Sequence, residues 1–287
     1  MASSRIVFLG TGTSERVPRV TCLVKDPPTC PVCTDAVRPG SKNLRRNTSL
    51  LVQKFAPDGE ATNIVIDAGK SFYESALTWF PEYGVRKLDA VALTHAHADA
   101  IAGLDDLRDW TNNAQGSIPV YLRPYDLETV AQTHFYLVDP SKSTSGGGIA
   151  RLKFVQTGPE PFDVAGVTFT PLTVEHGRDI TANGYRIGNM CYVPDTSRIP
   201  YEAWMKMQGC DLLILDALRP GRTHGSHLTL EEAVETARKL KPRRTLLTDM
   251  AHDIEHESTN EWLRGLKASE GMDIQLAHDG LCVEVEV

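Results

Sequence analysis

Two hydrophobic rhythms alternate along the chain. Short apolar stretches bounded by polar or turn residues read as strands, at 6–9, 49–55, 63–67, 88–94, 119–122, 167–174, 185–188, 190–193, 212–216, 244–247 and 281–287. Between them, apolar residues recur at three- and four-residue spacing and predict helices over 71–80, 101–110, 127–136, 201–207, 230–240 and 259–268. Pro57-Asp58-Gly59-Glu60 and Asn183-Gly184 read as hairpin turns. Thr229, followed by Glu231 and Glu232, reads as a helix N-cap with an acidic first turn. Residues 141–148 (Ser-Lys-Ser-Thr-Ser-Gly-Gly-Gly) are the one low-complexity stretch, read as a mobile surface loop too short to link domains. The pattern predicts an α/β (α+β) chain: two strand-rich halves, each ending in helices, packed as face-to-face sheets with helices outside, in a single domain over residues 1–287.

Polar residues matter most where the strand-like run at 88–93 stops. His95, His97 and Asp99 follow at every second position, and alternate residues of an extended segment point the same way. Imidazole and carboxylate are ligands that Zn²⁺, Mn²⁺ and Fe²⁺ accept. A surface loop can hold two histidines by chance, but this triplet lies between a strand end and a helix start, where sites gather. His176, Asp195, Asp216 and Asp249 end or follow other strand-like runs. Singly, each reads as a turn or capping residue. Together they place carboxylates and imidazoles at one end of several strands.

Composition narrows the function classes. The 287 residues are 41% hydrophobic, ordinary for a globular protein, and the net charge of −7 offers no basic field for nucleic acid. Arg45-Arg46 and Lys241-Pro242-Arg243-Arg244 are the basic clusters, too small for a tRNA-sized footprint. No apolar run approaches the ~20 residues of a membrane span, and no apolar leader with a cleavage site precedes Ile6, so a cytoplasmic location is expected. Of six cysteines, Cys22, Cys30 and Cys33 crowd together, while Cys191, Cys210 and Cys282 stand singly in apolar surroundings. That suits a reducing compartment better than a disulfide framework. The Cys-Pro-Val-Cys turn with Cys22 suggests a zinc knuckle at about 22–33 that needs a fourth ligand. The alternative is a redox pair, which normally opens a helix; Pro28, Pro31 and Pro39 weigh against it.

Residues 93–108 (Leu-Thr-His-Ala-His-Ala-Asp-Ala-Ile-Ala-Gly-Leu-Asp-Asp-Leu-Arg) resemble the metal-binding loop of the metallo-β-lactamase superfamily. Leu9-Gly10-Thr11-Gly12-Thr13-Ser14, Asn47-Thr48-Ser49, Ile66-Asp67-Ala68-Gly69 and residues 226–233 (Ser-His-Leu-Thr-Leu-Glu-Glu-Ala) resemble its phosphodiesterase branch. Within that branch the chain is most similar to the phosphoribosyl cyclic phosphate phosphodiesterases of the PhnP type, from Ile6 to about Gly280. The resemblance implies a four-layer αβ/βα sandwich with a metal centre along the edge of its two sheets. It makes His95, His97, His176 and Asp195 the ligands of a first ion, and Asp99 with the bridging Asp195 ligands of a second. Two departures strike that second ion. Ala100 stands where a histidine is expected, and Asp249 stands where another is expected in Leu247-Thr248-Asp249-Met250-Ala251-His252.

Asp99, Asp195 and Asp249 make an oxygen-only set that favours Mn²⁺ or Mg²⁺ and binds weakly. A single-ion or metal-poor centre stays open, as does replacement by His256, which otherwise reads as helix surface. The resemblance also makes His252 the fourth ligand of a structural zinc with Cys22, Cys30 and Cys33. It makes His227 a non-ligand histidine that contacts the scissile phosphate and helps the leaving group; His224 reads as a surface neighbour. Arg45, Arg46 and Arg108 are candidates for gripping phosphate, and Asp105 and Asp106 for orienting ligand histidines.

The implied activity is hydrolysis of a small, cyclic phosphodiester such as a phosphoribosyl cyclic phosphate. Water activated by one or two Zn or Mn ions attacks phosphorus, with His227 and Asp99 as catalytic residues. Relatives suggest a homodimer, and the small phosphodiester is the expected partner. Two alternatives accompany this reading: a tRNA 3′-end endonuclease, and a phosphate-ester-binding protein that has lost turnover, which Ala100 and Asp249 motivate.

Overall fold

The structure is a computed structural model that describes residues 4–143 and 148–287. The first half of the chain supplies β1 (Ser4–Gly10), β2 (Ser49–Phe55), β3 (Ala61–Ile66), β4 (Ala90–Ala92), β5 (Ile118–Leu122) and β6 (Leu152–Gln156). The second supplies β7 (Phe162–Val164), β8 (Val167–Glu175), β9 (Thr181–Ile187), β10 (Met190–Val193), β11 (Leu212–Asp216), β12 (Arg244–Thr248) and β13 (Ile274–Leu276). A last strand, β14 (Cys282–Val285), returns to the first half and pairs antiparallel with β1. The result is two seven-stranded sheets, ordered β14-β1-β2-β3-β4-β5-β6 and β13-β12-β11-β10-β9-β8-β7.

Strand periodicity explains the layering. In β1, Ile6 and Phe8 join one buried cluster while Val7 and Leu9 join another, because successive side chains leave a strand on opposite faces. The first cluster also holds Leu50, Ile64, Phe169, Tyr185, Tyr192, Ile214 and Leu246, so it is the seam between the two sheets. Val7, Leu9, Leu51 and Val91 instead meet Phe72, Ala76 and Phe80 of the helix Phe72–Glu82. On the far side, Cys191, Leu213, Leu215 and Leu247 meet Ala233, Val234, Ala237 and Leu240 of the helix Leu230–Leu240. Helix, sheet, sheet, helix is the expected four-layer sandwich. Strands covered on both faces must be apolar throughout, which is why they read as continuous runs.

Local departures from the sequence reading have steric causes. Asn183-Gly184 is not a hairpin turn; it lies inside β9. Gly184 is there because a Cβ would come 2.6 Å from the Tyr192 carbonyl oxygen. The helix predicted over 101–110 is three pieces, Ala98–Ile101, a 3-10 turn at Leu104–Leu107, and Arg108–Asn113. Gly103 breaks it, packed so closely that a Cβ would sit 2.4 Å from the Gly69 carbonyl oxygen. The cysteine segment contains two short helices, Val20–Leu23 and Pro31–Ala36, and β6, β7 and β13 are sheet-flank strands without a strong apolar signature. Of the low-complexity stretch, residues 144–147 lie outside the described residues, and Pro140–Lys142 form one 3-10 turn. Thr229 caps its helix as expected: its Oγ1 accepts from the Glu232 N–H at 3.1 Å, and Glu232 Oε2 accepts from the Thr229 N–H at 2.8 Å. Among the described residues, no helix is long and apolar enough to cross a membrane.

Candidate metal centre

Parallel strands β3 and β4 end side by side, and the turns leaving them build the first half of the centre. Asp67, just past β3, has a left-handed backbone (φ +64°). Its Oδ1 accepts from the Thr94 N–H and its Oδ2 from the Thr94 hydroxyl, both at 2.8 Å. Thr94 Oγ1 lies 2.9 Å from His95 Nδ1. When Asp67 is ionised, as it would be opposite a bound cation, the hydroxyl proton is committed to it, Oγ1 accepts from Nδ1, and His95 Nε2 is left as a bare lone pair. That atom is buried and has no partner among the described residues. Burial, with His176 and His97 beside it, holds the imidazole well below its ordinary range and therefore neutral.

His176, after β8, repeats the logic. Its Nδ1 donates to the Ser226 carbonyl oxygen at 2.9 Å, so Nε2 is bare, and it lies 3.2 Å from His97 Nδ1. Burial above all pushes His176 down to about 4. His95, His97 and His176 together bring ligand atoms within 4.8 Å of one another. Two nitrogens on one Zn²⁺ at ~2.1 Å would be roughly 3.0–3.4 Å apart, so the 3.2 Å separation suits a shared cation. Asp195 follows β10, is 5% exposed, and forms a second such group with His176 and His227. Burial first, then Asp249 and Asp99, push the Asp195 carboxyl well up. Like charges buried together are costly unless a cation answers them. The orphaned His95 Nε2, the imidazole trio and the crowded carboxylates thus fit a divalent ion.

The expected second set fits less well. Among the described residues, Asp99, Asp195 and Asp249 do not bring three ligand atoms within 4.8 Å of one another. Asp99 is raised by burial and by Asp249, and its Oδ1 has no partner among the described residues. Asp249, past β12 with φ +58°, turns instead toward His227. Its Oδ2 lies 2.9 Å from His227 Nδ1, and its Oδ1 accepts from the Thr48 hydroxyl at 3.3 Å. On the other side, Asp216 Oδ2 accepts from the Thr196 N–H at 2.9 Å and lies 2.9 Å from the same Nδ1. Although burial opposes it, the charges of Asp216 and Asp249 push His227 up to about 12.

The cysteines form a second cluster. The Sγ atoms of Cys22, Cys30 and Cys33 each lie 3.4 Å from His252 Nδ1. A tetrahedral zinc with bonds of ~2.3 Å to sulfur and ~2.0 Å to nitrogen needs a sulfur–nitrogen edge of about 3.5 Å. Burial first, then the neighbouring thiols, raise Cys33 to about 12, which a bound cation would reverse. The proline argument against a redox pair does not hold, because Cys30 caps the helix Pro31–Ala36. The convergence of all three thiols on His252 is what favours zinc.

Several other expectations are corrected. Arg45 does not face substrate: it is fully buried and its Nη1 donates to the Ala251 carbonyl oxygen at 2.7 Å, bracing the loop that carries His252. Arg46 pairs with Asp279 and Thr78, and Arg108 with Asp105, in a groove with Phe72 and Trp110 rather than with the imidazoles. Asp67 with Thr94, and the Ser226 carbonyl, orient the histidines; Asp105 and Asp106 do not. His256 is no surface residue and no replacement ligand: it is 3% exposed and Nε2 accepts from Asn260 Nδ2 at 3.0 Å. Cys191 and Cys210 are neighbours in the outer core rather than single residues. The roles of Asp67 and Asp216 went unread, although each is an acid ending an apolar run that must be buried.

The profile of the β-lactamase superfamily domain matches residues 62–250. A solved structure of a diphosphatase from the PhnP family is 33% identical, covers 100% of this chain and 99% of its own, and superposes with a TM-score of 0.82. An octanoyltransferase from Porphyromonas gingivalis is 33% identical over 249 residues, 86% of this chain; the chain spans about half of that relative's length, 46%. Zn²⁺-bound PqqB from Methylobacterium extorquens shares the fold at 19% identity, covering 98% of this chain and 100% of its own with a TM-score of 0.72. Matched over most of its length by that profile, and along its whole length by a PhnP-family enzyme, the chain belongs to the metallo-β-lactamase superfamily and is a metal-dependent hydrolase of the PhnP kind.

Proposed function

We propose that the protein hydrolyses a small phosphodiester, with a cyclic ribose phosphate as the substrate class. The observation that carries this reading is the meeting of bare imidazole nitrogens on His95 and His176 with His97, beside a histidine bracketed by carboxylates. His95, His97, His176 and Asp195 would hold the ion. What a Zn or Mn ion supplies there is Lewis acidity, which brings the pKa of water from 15.7 toward ~7 and offsets phosphoryl charge. The chain's own residues do the rest. His227, kept protonated between Asp216 and Asp249, donates a proton to the departing oxygen. Asp99, with its free Oδ1, accepts a hydrogen bond from the attacking water. Cys22, Cys30, Cys33 and His252 would hold a structural zinc that does no chemistry.

A second reading is favoured by the diphosphatase named among the 33% identical relatives: cleavage of a phosphoanhydride at the same centre. The acidic net charge of −7 supports neither a tRNA substrate nor a nucleic-acid partner. The test is a substrate panel with added Mn²⁺ or Zn²⁺: a ribose cyclic phosphate, bis-p-nitrophenyl phosphate, ADP and precursor tRNA. Turnover of the first two, abolished by His95→Ala, is expected. Cleavage of ADP alone would select the second reading, and cleavage of tRNA alone would overturn both. Assembly as a homodimer is to be measured on the same preparation by ultracentrifugation.

A further inference from the structure

We propose that the active centre takes one divalent ion, in the cage of His95, His97, His176 and Asp195, and that Asp249 is a positioning residue which fixes the His227 imidazole together with Asp216. This rests on the metal-hydrolase reading above and specifies how many ions that reading needs.

The donors for a second ion are neither present nor gathered. Position 100 supplies none: the Ala100 side chain is 2% exposed and belongs to the apolar layer with Phe72, Ile101 and Leu104. Its backbone is committed too, with the N–H donating to the His97 carbonyl oxygen and the carbonyl oxygen accepting from the Ala68 N–H at 2.8 Å. Among the described residues, Asp99, Asp195 and Asp249 do not bring ligand atoms within 4.8 Å of one another, whereas the three imidazoles do, and Asp195 joins them through His176.

Asp249 has other work. Its left-handed backbone aims the carboxylate between Thr48 and His227, with 3.3 Å to the Thr48 hydroxyl and 2.9 Å to His227 Nδ1. Asp216 stands at the same 2.9 Å, itself pinned by the Thr196 N–H. The Nδ1–H is directed at Asp216 Oδ2, and Asp249 Oδ2 faces the same nitrogen at 2.9 Å without hydrogen-bonding geometry, so Asp216 holds the ring by a hydrogen bond and Asp249 by charge. Swinging Asp249 onto an ion would undo that hold. The atoms of Asp216, His227 and Asp249 also lie within 4.8 Å of one another. Read as ligands, however, they would require a bare Nδ1 held 2.9 Å from two anionic oxygens, and Asp216 Oδ2 already accepts from a backbone N–H.

Metal content and spectroscopy decide the count. Protein saturated with Mn²⁺ and freed of excess is analysed for metals and by electron paramagnetic resonance. The expected result is one manganese besides one knuckle zinc per chain, with the spectrum of an isolated Mn²⁺. A second manganese, or the signal of a coupled pair, overturns the proposal. The Asp249→Asn variant separates positioning from ligation. It should keep the full manganese content, hold KM, and lose kcat by about 10–100-fold on a ribose cyclic phosphate, the scale typical of residues that orient catalytic groups. On bis-p-nitrophenyl phosphate, whose leaving group needs no proton, the loss should be less than threefold. Loss of an ion in this variant, or equal losses on both substrates, refutes the role given to Asp249. If the protein cleaves no phosphodiester, the metal count still stands or falls by itself.

Discussion

Replacing Thr94 by valine tests how the centre is held. The change keeps the shape of the side chain and removes one hydroxyl that serves two partners, Asp67 Oδ2 at 2.8 Å and His95 Nδ1 at 2.9 Å. Thr94 is 0% exposed, Asp67 1% and His95 2%, so no water reaches the abandoned atoms. Each unsatisfied buried group costs about 1–3 kcal/mol, so Thr94→Val should destabilise by roughly 2–6 kcal/mol. At ~2 °C per kcal/mol for a chain of this size, the melting temperature falls by roughly 4–12 °C. The second effect is on metal: with Nδ1 no longer anchored, His95 Nε2 loses its aim, and affinity for the active-centre ion drops about 10–100-fold. Thr94→Ser, which keeps the hydroxyl, should lie within about 1 kcal/mol of the parent and bind metal normally. Calorimetry of the metal-free protein and Mn²⁺ titration of all three proteins supply the measurements. A valine variant melting within about 2 °C of the parent with unchanged affinity would show that the chain from Asp67 to His95 does not orient the ligand.

Asp67 gives a pH signature. Burial raises its carboxyl from 3.8 to about 8, so the folded protein binds that proton more tightly than the unfolded chain. Its contribution to stability is present below about pH 4 and lost as pH rises through about 8. The stability of the metal-free parent relative to Asp67→Asn should therefore decline across that interval, measured by urea unfolding; a flat or rising difference contradicts the assignment. Gly69→Ala puts a Cβ 1.6 Å from the Asp99 carbonyl oxygen. It should displace the ligand loop and abolish metal-dependent turnover, whereas Gly59→Ala, in open space, costs only local backbone strain of about 1 kcal/mol and leaves turnover intact. His252→Ala should remove one zinc per chain by elemental analysis and lower the melting temperature, while active-centre Mn²⁺ binding persists at reduced affinity. Retention of that zinc would exclude His252 as a ligand.

Where the sequence could be read, it was because one residue type had one physical use. Ile6 and Phe8 face the seam and Val7 and Leu9 the helices, and a strand with four apolar neighbours in a row has no other stable place. His95 and His97 were legible because both sit on one turn two residues apart, and the cysteines because three thiols in twelve residues, Cys22 to Cys33, have few other uses. What escaped depends on distant contacts. Asp67 meets Thr94 across 27 residues, and Asp249 meets His227 across a strand and a helix. Nothing near Asp249 in the chain announces that its carboxylate faces an imidazole. Arg45 misled for a similar reason: a basic residue next to another suggests surface, and only the fold shows it bonded to Ala251 inside the protein. Gly184 misled because the chemistry that suits a turn also suits a strand pressed against its neighbour's carbonyl.

Asp249 and His252 share one short turn after β12, and buried Arg45 clamps that turn at Ala251. Whatever loosens the thiol cluster therefore reaches the reaction centre through three peptide units. An oxidant that consumed Cys22, Cys30 or Cys33 would disarm the hydrolase without touching a single group that handles substrate. Inactivation by peroxide would then track thiol loss and be slowed by zinc, not by substrate. A fold built this way ties its working life to the redox health and zinc supply of its surroundings.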